Sequence, residues 1–335
     1  MTTSLRPHES SHSLYEAAIN WACGILLSRG FKIMAPYEVI SDMPWSTVIR
    51  FLCQQGKMYL KLMGSPYSIE AVLLEFLSFR SSNNITKVLA YNQSLSCFLM
   101  IDAGSPLRDY LKKNYQFNLV SNVLQAYASI QLSSIADVEA LLHIGIPDWR
   151  LKKLPSLYQK FIAHTDLLKS DGLSDSEIAL LQKLHSYIAL LCDQLYELGI
   201  PETLEHGDLN DNNILIRDDK HLTISDWGDA NISHPFLSLA SWLDSAMINH
   251  QFNESDELYF STQDAYLEKW LDYGAKNKLL HAFNLAKQLR YFQFALSFSR
   301  IKHCSHIENY KQYNGYNQIP ATVYREIIEK FKFLL

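Results

Sequence analysis

The sequence has few cysteines and no surplus of basic residues. Its five cysteines stand singly along the chain, at Cys23, Cys53, Cys97, Cys192 and Cys304. An odd number of cysteines without regular spacing predicts free thiols in a reducing cytoplasm rather than a disulfide framework. The formal net charge is −5, from 30 Lys and Arg against 35 Asp and Glu. This balance argues against a nucleic-acid-binding protein, which would usually carry excess positive charge.

Long apolar runs are also missing. Residues 178–192 are strongly apolar, but Gln182, Lys183 and His185 interrupt them, so no segment approaches the length of a membrane span. Residues 1–13 are polar, which predicts that the chain carries no signal peptide. With 48% hydrophobic residues over 335 positions, the chain can form one large domain or two lobes. Nothing in the sequence indicates an oligomeric state.

The densest set of polar side chains lies in residues 206–215, HGDLNDNNIL. The branched residues 214–216 follow at once and predict a short buried strand, which would hold the polar residues on a loop. A polar turn leads to a second strand-like run, residues 222–224, and then to Asp226. Pairing the two runs as a hairpin brings Asp226 back beside Asp208 and Asn213. The sequence therefore predicts two carboxylates and one amide oxygen that converge on one point.

Such a set of groups suits phosphoryl transfer from a nucleotide. That reaction needs a group to orient and deprotonate the attacking hydroxyl, and oxygen ligands for Mg²⁺. We predict that Asp208 is the catalytic base and that Asn213 and Asp226 are the metal ligands, because Mg²⁺ prefers oxygen donors. The alternative is a polar turn in which Asp and Asn have only a conformational role. The ordered spacing and the flanking strands favour the functional interpretation.

The order His-x-Asp, four residues, Asn and a later Asp resembles the catalytic loop and metal-binding Asp of the protein-kinase-like fold. With HGDL at 206–209 and DWGD at 226–229, the chain is similar to the aminoglycoside phosphotransferase and choline kinase superfamily. The resemblance implies an α+β, two-lobed fold with ATP as phosphate donor and Mg²⁺ as cofactor. Residues 1–102 would form a nucleotide-binding lobe with an antiparallel sheet. Residues 103–335 would form a mainly helical lobe that carries the catalytic loop and the acceptor pocket.

Three strand-like runs precede the motif, at 37–40, 47–52 and 57–62, and Gly56 marks a hairpin turn between the last two. Lys61 lies late on this hairpin. The resembling family needs a lysine there to reach the nucleotide phosphates, held by a glutamate from the following helix. Residues 68–79 are predicted to form that helix, where Glu70 and Glu75 are both candidates. The likeness of residues 70–74 to the family's Glu-Ala-x-Leu-Leu run favours Glu70. Without the later motif, Lys61 would be interpreted as a strand-edge charge.

The loop over the phosphates is glycine-rich in protein kinases, but residues 41–47 of this chain contain no glycine. Members of the resembling family often lack these glycines too. We therefore predict phosphate contacts from backbone N–H groups and from the hydroxyls of Ser46 and Thr47. Trp45, in the same stretch, is equally consistent with an anchor in the core.

The junction between the lobes is predicted at the end of a strand over residues 96–102. The resemblance implies that backbone groups from Met100 to Asp102 bind the adenine. Beyond it the chain reads as helical, over residues 107–111, 119–132 and 135–144. A further amphipathic helix extends through residue 195, and Ser174 and Glu177 form a capping box at its start.

Three positions of the catalytic region raise separate questions. We predict that His206 has a structural role in the loop; general-base catalysis by His206 is the less favoured alternative, because Asp208 already fits that role. Asn210 stands where the family commonly has a second His. Ser238 stands near a position where the family often has an Asp that braces the catalytic region, so that brace is in doubt.

The C-terminal segment is helical and aromatic, with Tyr266, Trp270 and Tyr273, and again Tyr291, Phe294 and Phe298, at helical spacing. Such groups are usually core, although the resemblance places the acceptor pocket in this region. Acidic candidates for a cationic acceptor are Asp244, Asp256, Glu257 and Asp264. The run His303-Cys304-Ser305-His306 lacks the fourth ligand of a structural zinc site, so we predict no zinc.

The sequence as a whole predicts an ATP- and Mg²⁺-dependent phosphotransferase that acts on a small-molecule hydroxyl. The substrate-loop landmark Ala-Pro-Glu of protein kinases is missing, which disfavours a peptide acceptor. Two alternatives remain: a choline or ethanolamine kinase, suggested by the aromatic tail, and a nucleotide-binding scaffold without turnover, suggested by the glycine-free loop and Ser238.

Overall fold

The computed structural model of the chain describes residues 9–43, 45–80, 83–301 and 319–335. Its N-terminal lobe is an antiparallel five-stranded sheet with one helix before the sheet and one after its third strand. The elements are α1 (Glu9–Ser28), β1 (Glu38–Met43), β2 (Ser46–Cys53), β3 (Gly56–Met63), α2 (Glu70–Phe79), β4 (Val88–Asn92) and β5 (Cys97–Ile101). The strands lie in the spatial order β1-β2-β3-β5-β4.

The C-terminal lobe is mainly helical and contains two small sheets. Its strands are β6 (Ser105–Pro106), β7 (Thr203–Glu205), β8 (Ile214–Ile216), β9 (Leu222–Ile224) and β10 (Asn231–Ser233). They lie in the spatial orders β6-β8-β9 and β10-β7. Its helices are α3 (Leu107–Lys113), α4 (Phe117–Ser134), α5 (Val138–His143), α6 (Leu154–Ala163), α7 (Thr165–Ser170), α8 (Asp175–Lys183), α9 (His185–Glu197), α10 (Phe236–His250), α11 (Glu257–Leu267), α12 (Lys276–Ile301) and α13 (Ile319–Lys330). This is the predicted α+β arrangement. Within the described ranges, no helix combines the length and the apolar character that a bilayer crossing requires.

The predicted hairpin between β2 and β3 is present, and it determines where Lys61 points. The strands pair in register, with Val48 opposite Lys61. Side chains alternate between the two faces of a strand, and Met58 and Leu60 pack against α1 in a small core. Lys61 therefore lies on the other face, toward α2 and the second lobe.

The larger hydrophobic core runs without interruption from α2 into the helical lobe. Leu73 and Leu74 of α2 share it with Leu124 of α4 and with Trp227, which is fully buried. The helix that was expected to hold the partner of Lys61 is thus fixed against the region that carries Asp226.

The prediction of one long helix that begins at the capping box is wrong in one respect, because the segment forms two helices, α8 and α9. The capping box itself is confirmed, since Ser174 and Glu177 each bond the other's backbone N–H. The break falls at Leu184, whose N–H donates to Leu181 O at 3.1 Å, three residues back. This tighter bond ends α8, and Leu184 stays buried. Similarly, the helix predicted over residues 135–144 is a 3₁₀ turn, Ile135–Asp137, followed by α5.

Candidate active site

The loop between β7 and β8 has the predicted position and is closely packed. Gly207 has a φ of +81°, and a Cβ atom there would lie 2.3 Å from the carbonyl oxygen of Asp229. Glycine alone accommodates that approach without a backbone shift. The glycine thereby lets the loop pack against the chain segment that follows Asp226.

Asp208 is held by the two asparagines that follow it in the loop. Asn213 Nδ2 donates to the Oδ2 atom and to the backbone oxygen of Asp208, both at 2.8 Å. Asn210 Nδ2 donates to the Oδ1 atom of Asp208 at 3.0 Å. Burial raises the pKa of the Asp208 carboxyl to about 7, and the negative charges of Asp229 and Asp226 add to this effect. A carboxyl poised near neutrality can accept a proton from a substrate hydroxyl.

The predicted hairpin of β8 and β9 returns the chain to this loop. Ile214 pairs with Ile224, and Ser225 donates from its N–H and its hydroxyl to the backbone oxygen of Asn213, at 2.9 and 2.8 Å. Asp226 follows in a left-handed conformation, with φ 62° and ψ 58°. Its side chain is 54% exposed, so solvent reaches the carboxylate. The structure thus brings together Asp208, Asn213 and Asp226 by the route that the sequence indicated.

Lys61 is buried between two carboxylates. Its Nζ atom lies 2.7 Å from Glu70 Oε2 and 2.5 Å from Asp226 Oδ1. Burial lowers the pKa of Lys61, but the charges of Asp226 and Glu70 outweigh it and raise the pKa above its usual value. The other oxygen of Glu70 accepts the N–H of Trp227 at 3.1 Å, whereas Glu75 is exposed. Of the two candidate glutamates, the structure pairs Glu70 with Lys61.

His206 uses both ring nitrogens to shape the loop. Its Nε2–H donates to the Ser225 carbonyl at 2.9 Å, and its Nδ1 accepts the N–H of Asp208 at 3.3 Å. Burial lowers the pKa of His206 to about 4, so the ring is neutral at neutral pH. With both nitrogens engaged, the geometry supports the structural role and gives no support to general-base catalysis by His206.

The family's Asp near position 238 is absent, and a network of buried side chains that includes Ser238 lies in its place. Ser238 donates to Glu205, and its Oγ atom lies 2.7 Å from the hydroxyl of Tyr127. The same Tyr127 hydroxyl accepts the backbone N–H of His206 at 2.9 Å. Gln131 donates to the second oxygen of Glu205 at 2.8 Å. Burial raises the pKa of Glu205 well above its usual value.

Asn210 connects Asp208 to a second network that the sequence did not indicate. Its Oδ1 atom accepts from Arg108 Nη2 at 3.0 Å. Arg108 Nε also donates to Asp211 Oδ1 at 2.8 Å, and His250 Nε2 lies 2.6 Å from Asp211 Oδ2. Arg108 and Asp211 are 103 positions apart, so no local pattern could have revealed this pair.

The predicted phosphate contacts lie directly after the turn between β1 and β2. Ser46 and Thr47 begin β2 and are partly buried. The hydroxyl of Thr47 donates to Asp42 Oδ1 at 2.7 Å within the same hairpin. Trp45 packs against the larger core, in line with the alternative interpretation of that residue. Pro44 lies outside the described residues.

The junction between the lobes is tightly constrained. Met100 pairs with Tyr59 across the sheet, and Asp102 Oδ1 accepts the N–H of Gly104 at 3.0 Å. Gly104 has a φ of +107°, and a Cβ atom there would lie 2.1 Å from the carbonyl oxygen of Ile216. The strand end that carries Met100 and Asp102 is therefore fixed against β8.

A further carboxylate, Asp229, lies near Asp208 and was missed from the sequence. Asp229 packs against Gly207, next to Asp208. Its Oδ1 atom is buried and makes no hydrogen bond within the described residues, but it lies 3.6 Å from Arg300 Nη1. The side chain remains 30% exposed. The DWGD motif could have drawn attention to Asp229, but nothing in the sequence links it to Arg300.

Arg300, near the end of α12, contacts both lobes. Its Nη2 atom donates to the carbonyl oxygen of Pro66 at 2.8 Å and approaches that of Gly228 at 3.3 Å. The guanidinium carbon lies 5.0 Å from the ring centre of Tyr67 and 5.9 Å from that of Trp149. These are cation–π distances. Arg300 thus joins the turn before α2 to the segment that carries Asp229.

The aromatic groups of the C-terminal segment pack into the core. Tyr266 and Trp270 are fully buried, and Tyr273, Tyr291, Phe294 and Phe298 pack partly buried against the larger core. Among the acidic candidates, Asp244 pairs with Arg290, Asp264 with Lys276 and Asp256 with the N–H of Asn253, and Glu257 is exposed. The run His303-Cys304-Ser305-His306 lies outside the described residues.

Comparison with known protein families gives a match. The sequence model described as the phosphotransferase enzyme family matches residues 92–275, more than half of the chain. Among curated proteins, none is similar enough to count as a match.

Solved structures extend the likeness over nearly the whole chain. A choline/ethanolamine kinase family protein from Mesorhizobium loti has a TM-score of 0.62 at 14% identity, over 96% of this chain and 94% of that one. Aminoglycoside 2′-phosphotransferase-IIIa, in its GDP complex, has a TM-score of 0.59 at 16% identity, over 95% and 100%. Amicoumacin kinase, in a complex with AMP-PNP and Ca²⁺, has a TM-score of 0.59 at 13% identity, over 97% and 96%. At these identities the likeness is one of fold, and it confirms the predicted kinase-like architecture.

Proposed function

The chain belongs to the phosphotransferase enzyme family, and we propose that it is an ATP- and Mg²⁺-dependent kinase that transfers the γ-phosphate to a hydroxyl of a small molecule. The observation that carries this proposal is that Asn213 donates to Asp208, while Asp226, one hairpin later, is ion-paired to Lys61. Phosphoryl transfer depends on positioning and on charge stabilisation more than on covalent help from the protein.

Asp208 is the proposed catalytic base. Its pKa, raised to about 7 by burial and by Asp229 and Asp226, matches the operating range of a base that accepts a hydroxyl proton. The two asparagine side chains hold its oxygens in place. Asp208 can therefore orient the acceptor hydroxyl and take its proton as the new P–O bond forms.

Asn213 and Asp226 are the proposed magnesium ligands, and their chemistry fits that ion. Asn213 directs Nδ2 toward Asp208, and Oδ1 of Asn213 accepts no hydrogen bond from the part of the chain that is described. One amide oxygen and one carboxylate leave octahedral positions for phosphate oxygens and water. When bound there, Mg²⁺ would neutralise charge on the β- and γ-phosphates.

Residues 1–102 are the proposed nucleotide-binding lobe, and residues 103–335 the lobe with the acceptor pocket. Lys61, held by Glu70, is the proposed contact to the phosphates. Backbone groups from Met100 to Asp102 are the proposed adenine contacts, and Ser46 and Thr47 remain the proposed contacts over the phosphates.

A small-molecule acceptor is part of the proposal. Asp229 is its acceptor-side carboxylate, because one of its oxygens is anchored near Arg300 while the side chain stays partly exposed beside Asp208. We also propose a cytoplasmic location, which the unpaired Cys23, Cys53, Cys97 and Cys192 support.

The test is transfer of labelled phosphate from [γ-³²P]ATP in the presence of Mg²⁺ to a panel of hydroxyl compounds. The panel should contain aminoglycosides, macrolides, choline, ethanolamine and simple sugars. We expect one class to be phosphorylated, and we expect Asp208→Asn to lower its rate by about 10²- to 10⁴-fold. Asp218→Asn is the matched control, since Asp218 is an exposed carboxylate on the nearby turn.

The panel also separates the rival functions. Selective turnover of choline or ethanolamine would identify the chain as that type of kinase. Nucleotide binding by calorimetry without transfer or hydrolysis would identify a scaffold and contradict the proposal. Full turnover by Asp208→Asn would refute the role of Asp208.

A further inference from the structure

A cavity of about 180 Å³ lies at the junction of the two lobes, and we call it the junction cavity. Its walls come from residues 83–87, from the connection at residues 101–103 and from the hairpin of β8 and β9. Asp208, Asn213, Asp226 and Lys61 do not line it. It is therefore separate from the groups proposed to hold the reacting phosphates, although it shares the connection between the lobes.

Hydrogen bonds between its walls hold the junction cavity open. His221 Nε2–H donates to the carbonyl oxygen of Asn83 at 2.8 Å. Ile224 N–H donates to Asn84 O at 2.7 Å, and Ile101 N–H donates to Lys87 O at 3.1 Å. Each bond joins one wall to another. The volume is therefore preformed, and it has room for several water molecules.

The lining carries excess positive charge in a chain whose net charge is −5. Lys87 and Arg217 both line the junction cavity, and Asp102 is the carboxylate of the lining. Asp102 Oδ1 already accepts a hydrogen bond from the N–H of Gly104. Lys87 has no ion pair within the described residues. Arg217 pairs with Asp219 at 3.2 Å, but both side chains are about half exposed, at 47% and 64%, and such a pair is weak.

We propose that the junction cavity binds a small anion that carries a phosphate group. Lys87 and Arg217 would donate charge-assisted hydrogen bonds to the phosphate oxygens. Hydrogen bonds between such charged pairs are short and strong. Ile85 and Thr223, both buried, also line the cavity and would give a short carbon chain apolar contacts. The shared chemistry is the phosphate group, whether it comes as inorganic phosphate or as a small phosphate ester. The inference does not depend on the proposed function.

The test is calorimetric titration of the full chain without divalent metal, with inorganic phosphate in one arm and glycerol 3-phosphate in the other. We expect Lys87→Ala/Arg217→Ala to weaken binding by roughly ten-fold or more, since two charged hydrogen bonds are lost. Lys112→Ala/Lys183→Ala is the matched control, because it removes two exposed charges that do not line the cavity. Lys61→Met is the second control, because it removes the ammonium group that is proposed to contact the nucleotide phosphates in the active site.

Binding that survives Lys61→Met and the charge control but falls in the cavity variant supports the proposal. Tighter binding of glycerol 3-phosphate than of phosphate identifies an ester as the ligand; equal binding identifies inorganic phosphate. Loss of binding in Lys61→Met with retention in the cavity variant overturns the proposal. Equal weakening in both double variants, or no heat in either arm, also overturns it.

Discussion

Asp208 lies in an environment that differs strongly from that of an ordinary, solvent-exposed carboxylate. It is largely buried, and two further carboxylates, Asp229 and Asp226, act on it. Each of these effects disfavours its charged form and raises its pKa. A base is active when deprotonated, so activity is expected to fall as the pH drops below the pKa of about 7.

The pH dependence is expected to shift in Asp229→Asn. Removing the like charge lowers the pKa of Asp208, so the acidic limb of kcat/KM should move to lower pH. The measurement is the pH profile of phosphate transfer for the wild type and the variant. Asp218→Asn, which removes an exposed carboxylate of the nearby turn, should leave the limb in place. An unmoved or raised limb in Asp229→Asn would contradict the assignment.

Side chains whose partners are near in sequence, or one hairpin away, could be predicted. Asp208, Asn213 and Asp226 belong to this class, because two short strands sufficed to bring them together. Glu70 could be chosen over Glu75 only by resemblance, and burial then explains the choice. Arg108 and Tyr127 could not be predicted, because their partners lie 103 and 79 positions away. A hydrogen bond between distant positions leaves no periodicity to detect.

Ser238→Ala should destabilise the chain although it removes only one oxygen atom. The hydroxyl links Glu205 to Tyr127, and its loss leaves buried polar atoms without a partner, at a cost of about 1–3 kcal/mol. Urea unfolding would measure the change. Ser78→Ala, at an exposed hydroxyl of α2, is the control and should stay within about 0.5 kcal/mol. Equal values for the two variants would mean that the buried network does not stabilise the loop.

Helices and strands could be predicted where the sequence shows a clear local pattern, such as alternating apolar residues or a capping motif. The β2–β3 hairpin and the capping box of α8 appear as expected, because alternation and capping are local properties. The division into α8 and α9 was not predictable, because the apolar spacing continues through Leu184 while the helix is interrupted there. Apolar spacing reports which side chains are buried and does not encode where backbone hydrogen bonding is interrupted.

Two glycines, one in the catalytic loop and one in α1, offer a matched test of how closely packed the catalytic loop is. Gly207→Ala should abolish transfer and lower stability, because its Cβ atom would lie 2.3 Å from Asp229 O at a φ of +81°. Gly24→Ala, in α1, has no atom within 4 Å of its Cβ, and it should stabilise the chain by roughly 0.5–1 kcal/mol. Thermal unfolding and phosphate transfer measure both. A Gly207→Ala protein with normal activity would show that the close approach is not needed.

For the molecule as a whole, the lobes are joined by more than the connecting chain. The larger core runs from α2 into the helical lobe, and Arg300 adds a polar link to the turn before α2. The lobes are thus expected to unfold together rather than in separate steps.

Arg300→Met tests the polar link between the lobes. We expect a loss of about 2 kcal/mol, because carbonyl acceptors and the partly buried Asp229 lose their partner. Arg50→Met, which removes an exposed pair with Glu38, should cost much less than Arg300→Met. Denaturant unfolding followed by two probes, one in each lobe, would compare them. Equal losses, or separate transitions in the wild type, would contradict this view of the lobes.

The double ion pair of Lys61 has a consequence for the order in which ligands assemble. A free divalent ion would have to displace an ammonium group that already lies 2.5 Å from Asp226, with few other oxygens to compensate. Nucleotide phosphates would give that ammonium group a new counterion and release the carboxylate at the same moment. Metal and nucleotide should therefore arrive as one complex, and magnesium by itself should leave the resting pair intact.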